Sequence, residues 1–151
     1  MNLQLGRLFQ HVAWADQEVM TALAGCAKPT AEATKILSHL LLAEHIWLCR
    51  IQSKDPGMIT VWPVISPSEC RELSSQTVAG YQALLVTTTE DQLSLDVSYT
   101  NMKGEGFQTP LGDILLHVAL HGAYHRGQIA SILRRAGIDP VNTDFISFSR
   151  R

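Results

Sequence analysis

The sequence predicts an all-α protein, a four-helix bundle forming a single domain over residues 1–151. Two observations carry that expectation. Apolar residues recur at spacings of three and four through four long blocks, and residues that start and stop helices stand at the ends of those blocks. A third observation bears on function. His117, His121 and His125 lie at four-residue steps in the last block, and at about 100° per residue their side chains advance only about 40° per step. They form one stripe, which takes three of the six histidines in the chain.

The first block runs from about residue 3 to residue 23, with Leu5, Leu8, Phe9, Val12, Val19, Met20 and Leu23 on its apolar side, and Gly25 and Pro29 end it. The second runs from about residue 30 to residue 53 with Ile36, Leu37, Leu40, Leu41, Trp47, Leu48 and Ile51 in helical period, and Asp55, Pro56 and Gly57 stop it. Residues 54 to 65 read as a long connection. At about 3.3 Å per residue it can cross the length of a bundle, which allows the next helix to run parallel to the second.

Ser66-Pro67 supplies an N-cap and a proline at the first helical position, opening a third helix with Leu73, Val78, Tyr81, Leu84 and Leu85. Between residues 90 and 109 the period changes. Leu93, Leu95, Val97 and Tyr99 alternate before Asn101, Lys103 and Gly104, which predicts a short hairpin or extended excursion before the last helix. Thr109-Pro110 repeats the cap-plus-proline signal and launches the fourth helix, about 27 residues and roughly 40 Å long, ending at Gly137. Pro140 and the segment from Val141 to Arg151, with Phe145, Ile146 and Phe148, form a tail expected to pack on the bundle.

Composition narrows the function. A hydrophobic content of 46% suits a packed domain, and a net charge of −2 with scattered Lys and Arg leaves no footprint for nucleic acid or an anionic membrane. Ser38, His39, Glu44 and His45 interrupt the longest apolar stretch, so no segment reaches the roughly 20 residues of a membrane span. The start, Met1-Asn2-Leu3-Gln4-Leu5-Gly6-Arg7, lacks the pattern of a signal peptide, and a cytoplasmic location is expected. Cys26, Cys49 and Cys70 form neither a disulfide framework nor a Cys-x-x-Cys clip and read as small buried apolar groups.

His121 and His125, one turn apart, can grip a divalent ion such as zinc, nickel or iron if a third ligand arrives from another helix. The candidates are His11, His39 and His45. Periodicity favours His39, beside the Ile36, Leu40 and Trp47 side of the second helix, whereas His45 lies about 240° further around. His11, near Trp14, reads as a packing group or a support for a ligand. Three His ligands with an open position are the pattern of a metal that does chemistry.

The chain resembles the DinB and YfiT-like four-helix metalloproteins over nearly its whole length. The resemblance lies in Trp14-Ala15-Asp16, in the run from His39 to Trp47, in His117 to Gln128 with its His125-Arg126-Gly127-Gln128 segment, and in Gly137 to Pro140 with Thr143-Asp144-Phe145. It implies an up-down-down-up bundle, a homodimer, and a divalent metal held by His39, His121 and His125. Gly122 and Gly127 read as points of close packing, since each costs about 1 kcal/mol of helix stability. Gln128 and Arg126 read equally as holding an anion or as a solvated or dimer-facing pair, and Tyr124 as a core or interface aromatic.

A zincin-type protease is excluded, because Gly122 stands where that motif needs Glu. Asp113 and Glu44 are the nearest acids by register, each either a partner fixing a ring tautomer or a solvated carboxylate. The resemblance implies a metal-dependent enzyme acting on a small-molecule substrate with a low-molecular-weight thiol, a transferase or a related isomerase or hydrolase. The alternative is a metal-binding or stress-response module without turnover.

Overall fold

The computed structural model describes residues 2–26, 30–57 and 63–151. Four long helices make the bundle: α1 (Leu3–Gly25), α2 (Ala31–Ile51), α3 (Pro67–Thr87) and, after a one-turn helix α4 (Glu90–Leu93) and the strands β1 (Asp96–Thr100) and β2 (Gly106–Pro110), α5 (Leu111–Arg135). A short α6 (Phe145–Ser149) follows. The all-α bundle expected from the periodicity is present, with the strands as an appended hairpin.

Local chemistry sets the starts. Asn2 Oδ1 accepts from the Gln4 and Leu5 amides at 3.0 Å, and Thr30 Oγ1 accepts from Ala33 N, each satisfying first-turn donors of its helix. Ser66 caps α3 with Pro67 next to it, and the Glu69 carboxylate accepts from the Ser66 amide, completing a capping box. The start of α5 differs from expectation. Pro110 itself occupies the N-cap position and no side chain caps the helix, because Thr109 belongs to β2 and its hydroxyl pairs with Tyr99 Oη. The Leu111 amide instead donates to Leu95 O at 2.9 Å, fastening the helix to the hairpin. At the far end Gly137, at φ 74°, takes the left-handed turn that closes α5.

Directions follow from which residues meet. Along α2 and α5, His39 faces His121 and His125 while Trp47 faces His117, so these helices are antiparallel. Along α2 and α3, Ser38 meets Ile65, His45 meets Thr77 and Leu48 meets Gly80, so those two are parallel. Phe9 packs against Tyr81, and Asp16 pairs with Arg126. Leu5 shares a cluster with Leu111, and Leu23 shares one with Leu133, so α1 runs with α5. The bundle is therefore up-down-down-up. Residues 58–62 of the connection, and Pro29, lie outside the described residues.

The core divides into two apolar clusters. One holds Val19, Met20, Leu37, Leu40, Ile129 and Leu133 at one end, and the other holds Phe9, Leu48, Tyr81, Leu111, Leu115 and Val118 at the end that carries the hairpin. Strands β1 and β2 pair antiparallel with Asp96 opposite Pro110 and Thr100 opposite Gly106. The two-residue alternation starts later than expected, since Leu93 belongs to α4, capped by Thr89. The tail packs as anticipated: Phe145 and Phe148 set their rings 5.2 and 5.6 Å from His11. Cys49 and Cys70 are buried, Cys26 is half-buried, and all three are free.

No helix among the described residues is long and apolar enough to cross a membrane. Two apolar clusters of this size suffice to hold the bundle without an ion. Treatment with a strong chelator is therefore expected to leave the helical circular dichroism signal intact and to lower the melting temperature only by the ligand-linkage effect. A fall to the signal of an unfolded chain would make the site structural.

Candidate metal centre

His39, half-buried on α2, and His121 and His125, on successive turns of α5, bring three imidazoles together with one nitrogen of each within 4.8 Å of the others. His121 Nε2 and His125 Nε2 are 3.0 Å apart, and the His39 ring lies 5.3 and 4.7 Å from theirs. Tetrahedral ligands at about 2.0–2.1 Å from zinc stand roughly 3.3 Å apart, so a small opening of the pair admits an ion. The donors suit a borderline-soft dication. The structure thus assembles the three histidines that sequence periodicity and the family resemblance single out.

Protonation favours binding. Burial, and then the neighbouring His125, His39 and His117, push the His121 ring down to about 4, and burial lowers His125 as well. Both are neutral near pH 7 and have lone pairs to offer. Gln128, three residues along α5, accepts from His125 Nδ1–H at 2.7 Å, fixing the tautomer whose unprotonated Nε2 meets His121 Nε2. This gives Gln128 a role that its sequence reading, as an anion-holding or a solvated or dimer-facing residue, did not include.

The other histidines separate. His45 turns to α3, with Nε2 3.5 Å from Cys49 Sγ and Nδ1 3.5 Å from Thr77 Oγ1, as its angular offset from His39 requires. His11 donates from Nε2 to Thr143 O at 2.7 Å and packs among Trp14, Phe145 and Phe148, holding the tail. His117 is exposed, its ring 5.5 Å from His121 and 5.2 Å from Trp47, outside the three-nitrogen set. Asp113 is exposed.

On the buried side of α5 lies a group whose pairing sequence reasoning did not identify, and it corrects the reading of Arg126 as an anion-holding or a solvated or dimer-facing residue. Arg126 Nη1 donates to Asp16 Oδ1 at 2.7 Å, with both side chains 1% exposed. Glu44 is buried beside them, which corrects its reading as either a tautomer-fixing partner or a solvated acid. Burial, then the Asp16 charge, hold its carboxyl well above the usual range, which favours its neutral form. Gly122 explains itself here: a Cβ on it would stand 2.8 Å from Arg126 Nη1 and 3.3 Å from Glu44 Oε1. Its packing partners are side chains rather than a neighbouring backbone, and Gly127 has open space where a Cβ would be. The sequence carried half of the signal, a charge on each buried face, but not the pairing. Asp16 stands between Val12 and Val19 on the buried face of α1, and Arg126 between Val118 and Ile129 on that of α5.

Fold and site together define a helical bundle with a three-histidine centre between antiparallel helices. A sequence model of the DinB family matches residues 1–151, and the protein named Protein DinB of Bacillus subtilis (strain 168) is 23% identical over 154 residues, covering 92% of this chain and 90% of that one. The chain belongs to the DinB family.

Two tests follow from this geometry. His39→Ala, His121→Ala and His125→Ala are expected to lose stoichiometric metal by elemental analysis, and Gln128→Ala to weaken binding by roughly 10–100-fold, while His45→Ala retains it. Full occupancy in the His121 variant would refute the assignment. In the buried cluster, Asp16→Ala or Arg126→Met, stranding the partner charge, is expected to cost about 3–5 kcal/mol in denaturant unfolding. Glu44→Gln is expected to be mild, because burial favours the neutral form of the native group. A carboxyl raised in the fold stabilises fully below its unfolded pKa near 4.5 and loses that contribution as pH rises toward its folded value, so wild-type stability relative to Glu44→Gln should decline above pH 4.5. A difference independent of pH would contradict the protonated Glu44.

Proposed function

We propose that this chain is a divalent-metal-dependent enzyme that transfers a low-molecular-weight thiol to a small electrophilic molecule. His39, His121 and His125 hold the ion, with zinc, nickel or iron suited to three imidazoles. The observation that carries the reading is the convergence of three imidazoles from two helices with no carboxylate among them. A dication bound by three neutral donors keeps its full charge and favours thiolate over thiol near neutral pH.

The chain's own residues prepare that site and do not supply the nucleophile. Gln128 orients His125, and the Arg126–Asp16 pair fixes the α5 turns that carry His121 and His125. Half-exposed His39 and His121 leave the centre open to small molecules. Burial raises the Cys49 and Cys70 thiols above their ordinary range, so neither is an activated thiolate, and no cysteine stands in the histidine group. A thiol from solution is the nucleophile this arrangement calls for.

A homodimer belongs to the same reading, supported by Leu116, Leu120 and Tyr124, exposed on α5. A cytoplasmic setting, with small molecules rather than nucleic acid or membrane as partners, agrees with the near-neutral charge.

The test loads metal-free protein with zinc, nickel or iron and follows loss of an electrophile in the presence of several cellular thiols, with His121→Ala in parallel. Metal- and thiol-dependent turnover absent from the variant is expected. If no combination exceeds the variant's rate, the chain is a metal-binding module without turnover.

A further inference from the structure

Arg50, in the last turn of α2, lies outside the histidine centre and, among the described residues, has no hydrogen-bond acceptor. Its guanidinium carbon sits 4.5 Å over the Trp47 ring and 5.1 Å over the Tyr99 ring, in the corner of an edge-to-face pair whose centroids are 5.0 Å apart. Two ring faces hold the guanidinium, and its five N–H donors lie at the edges. Among the described residues no carboxylate lies within 4.0 Å of it and no side-chain or backbone oxygen accepts from it. A half-buried cation that is stacked, desolvated and unpaired is an expensive arrangement unless an anion completes it.

The space in front of Arg50 is an open cleft of ≈ 700 Å³ between the C-terminal turns of α2 and the β1–β2 hairpin. Lys54 and Asp55 also line it. Asp55 is partly spent, since its Oδ1 accepts from Gly57 N at 2.8 Å. The balance among these three groups is two cations to one carboxylate. Ser53 carries φ 53°, a left-handed conformation unusual for a residue with a side chain, and the Lys54 amide then donates back to Cys49 O at 2.8 Å. This turn brings Lys54 back to the cleft beside Arg50.

We propose that this cleft binds the anionic oxygen group, carboxylate or phosphate, of a small-molecule ligand, with the Arg50 guanidinium, stacked against Trp47 and Tyr99, as the principal donor. The guanidinium edge matches either group with two parallel hydrogen bonds. The cleft also adjoins the histidine stripe: the Trp47 ring that supports Arg50 is 5.2 Å from the His117 ring, which is 5.5 Å from His121. Eleven residues of α2 separate Arg50 from His39, about 16 Å along the helix. A ligand anchored at Arg50 would extend along this row of rings toward the centre. That extension rests on the metal-centre reading, whereas the anion site itself does not.

The full chain, stripped of metal so that anions cannot ligate an ion, is titrated calorimetrically with succinate and separately with inorganic phosphate, and the Trp47 indole N–H resonance reports where binding occurs. Saturable binding that shifts the Trp47 resonance is expected for at least one probe, and the stronger of the two identifies the ligand's anionic group. Arg50→Met should abolish the response. Arg50→Lys, which keeps the charge and the helix end and so guards against a misfolded variant, should weaken it roughly tenfold or more, because an ammonium cannot form the paired hydrogen bonds. Unchanged binding in Arg50→Lys and Arg50→Met, or no saturable response to either probe, would overturn the inference. Neither result bears on whether His39, His121 and His125 bind metal, which elemental analysis of the same wild-type preparation decides separately.

Discussion

The Arg126–Asp16 ion pair is the constraint on which the rest of the structure depends. It lies between the two apolar clusters, ties α1 to α5, and abuts Glu44 of α2 through the gap that Gly122 leaves open. A buried pair of this kind adds little net stability over apolar residues of the same volume, but stranding either charge is costly. What it enforces is register. Sliding α5 by one residue against α1 would bury an unpaired guanidinium and an unpaired carboxylate together. Because Arg126 follows His125 and Gly122 follows His121, the contact that locks the helix also sets where the two α5 imidazoles meet His39.

The centre is thus built on the rigid part of the molecule, and the adaptable parts lie around it. His125 is buried, aligned by Gln128, while His39 and His121 retain some exposure. Toward one end of the bundle the imidazole stripe continues through His117 to Trp47, Arg50 and the hairpin. On the α1 side, His11 is packed by the C-terminal tail and takes no part in the histidine group, although it also sits on an apolar helix face. Equal chemistry in the sequence therefore gives different outcomes according to which neighbouring element arrives.

Much of this was legible in the sequence. Spacings of three and four located all four long helices to within a few residues, because each buries one face, and Ser66-Pro67 marked the start of α3 unambiguously. The His121/His125 pair was visible because a helix places residues four apart on one side. His39 could be preferred over His45 because six residues turn a helix most of the way to another face. Other features were not legible, for identifiable reasons. Thr109-Pro110 has the form of a cap, yet cross-strand pairing claims the Thr109 hydroxyl, and pairing is a tertiary fact. Glu44 reads as either a tautomer-fixing partner or a solvated acid until Asp16 and Arg126 are known to lie against it. Asp16 and Arg126 are 110 residues apart, and no periodicity within either helix shows that the two apolar stripes present opposite charges at the same height.

X-ray absorption at the metal edge tests the central claim most directly, using protein loaded with one equivalent of zinc. Three imidazole nitrogens at about 2.0–2.1 Å, together with a light exchangeable atom and no sulfur, is the first shell that His39, His121 and His125 predict. Sulfur in that shell, or fewer than three imidazoles, would contradict it.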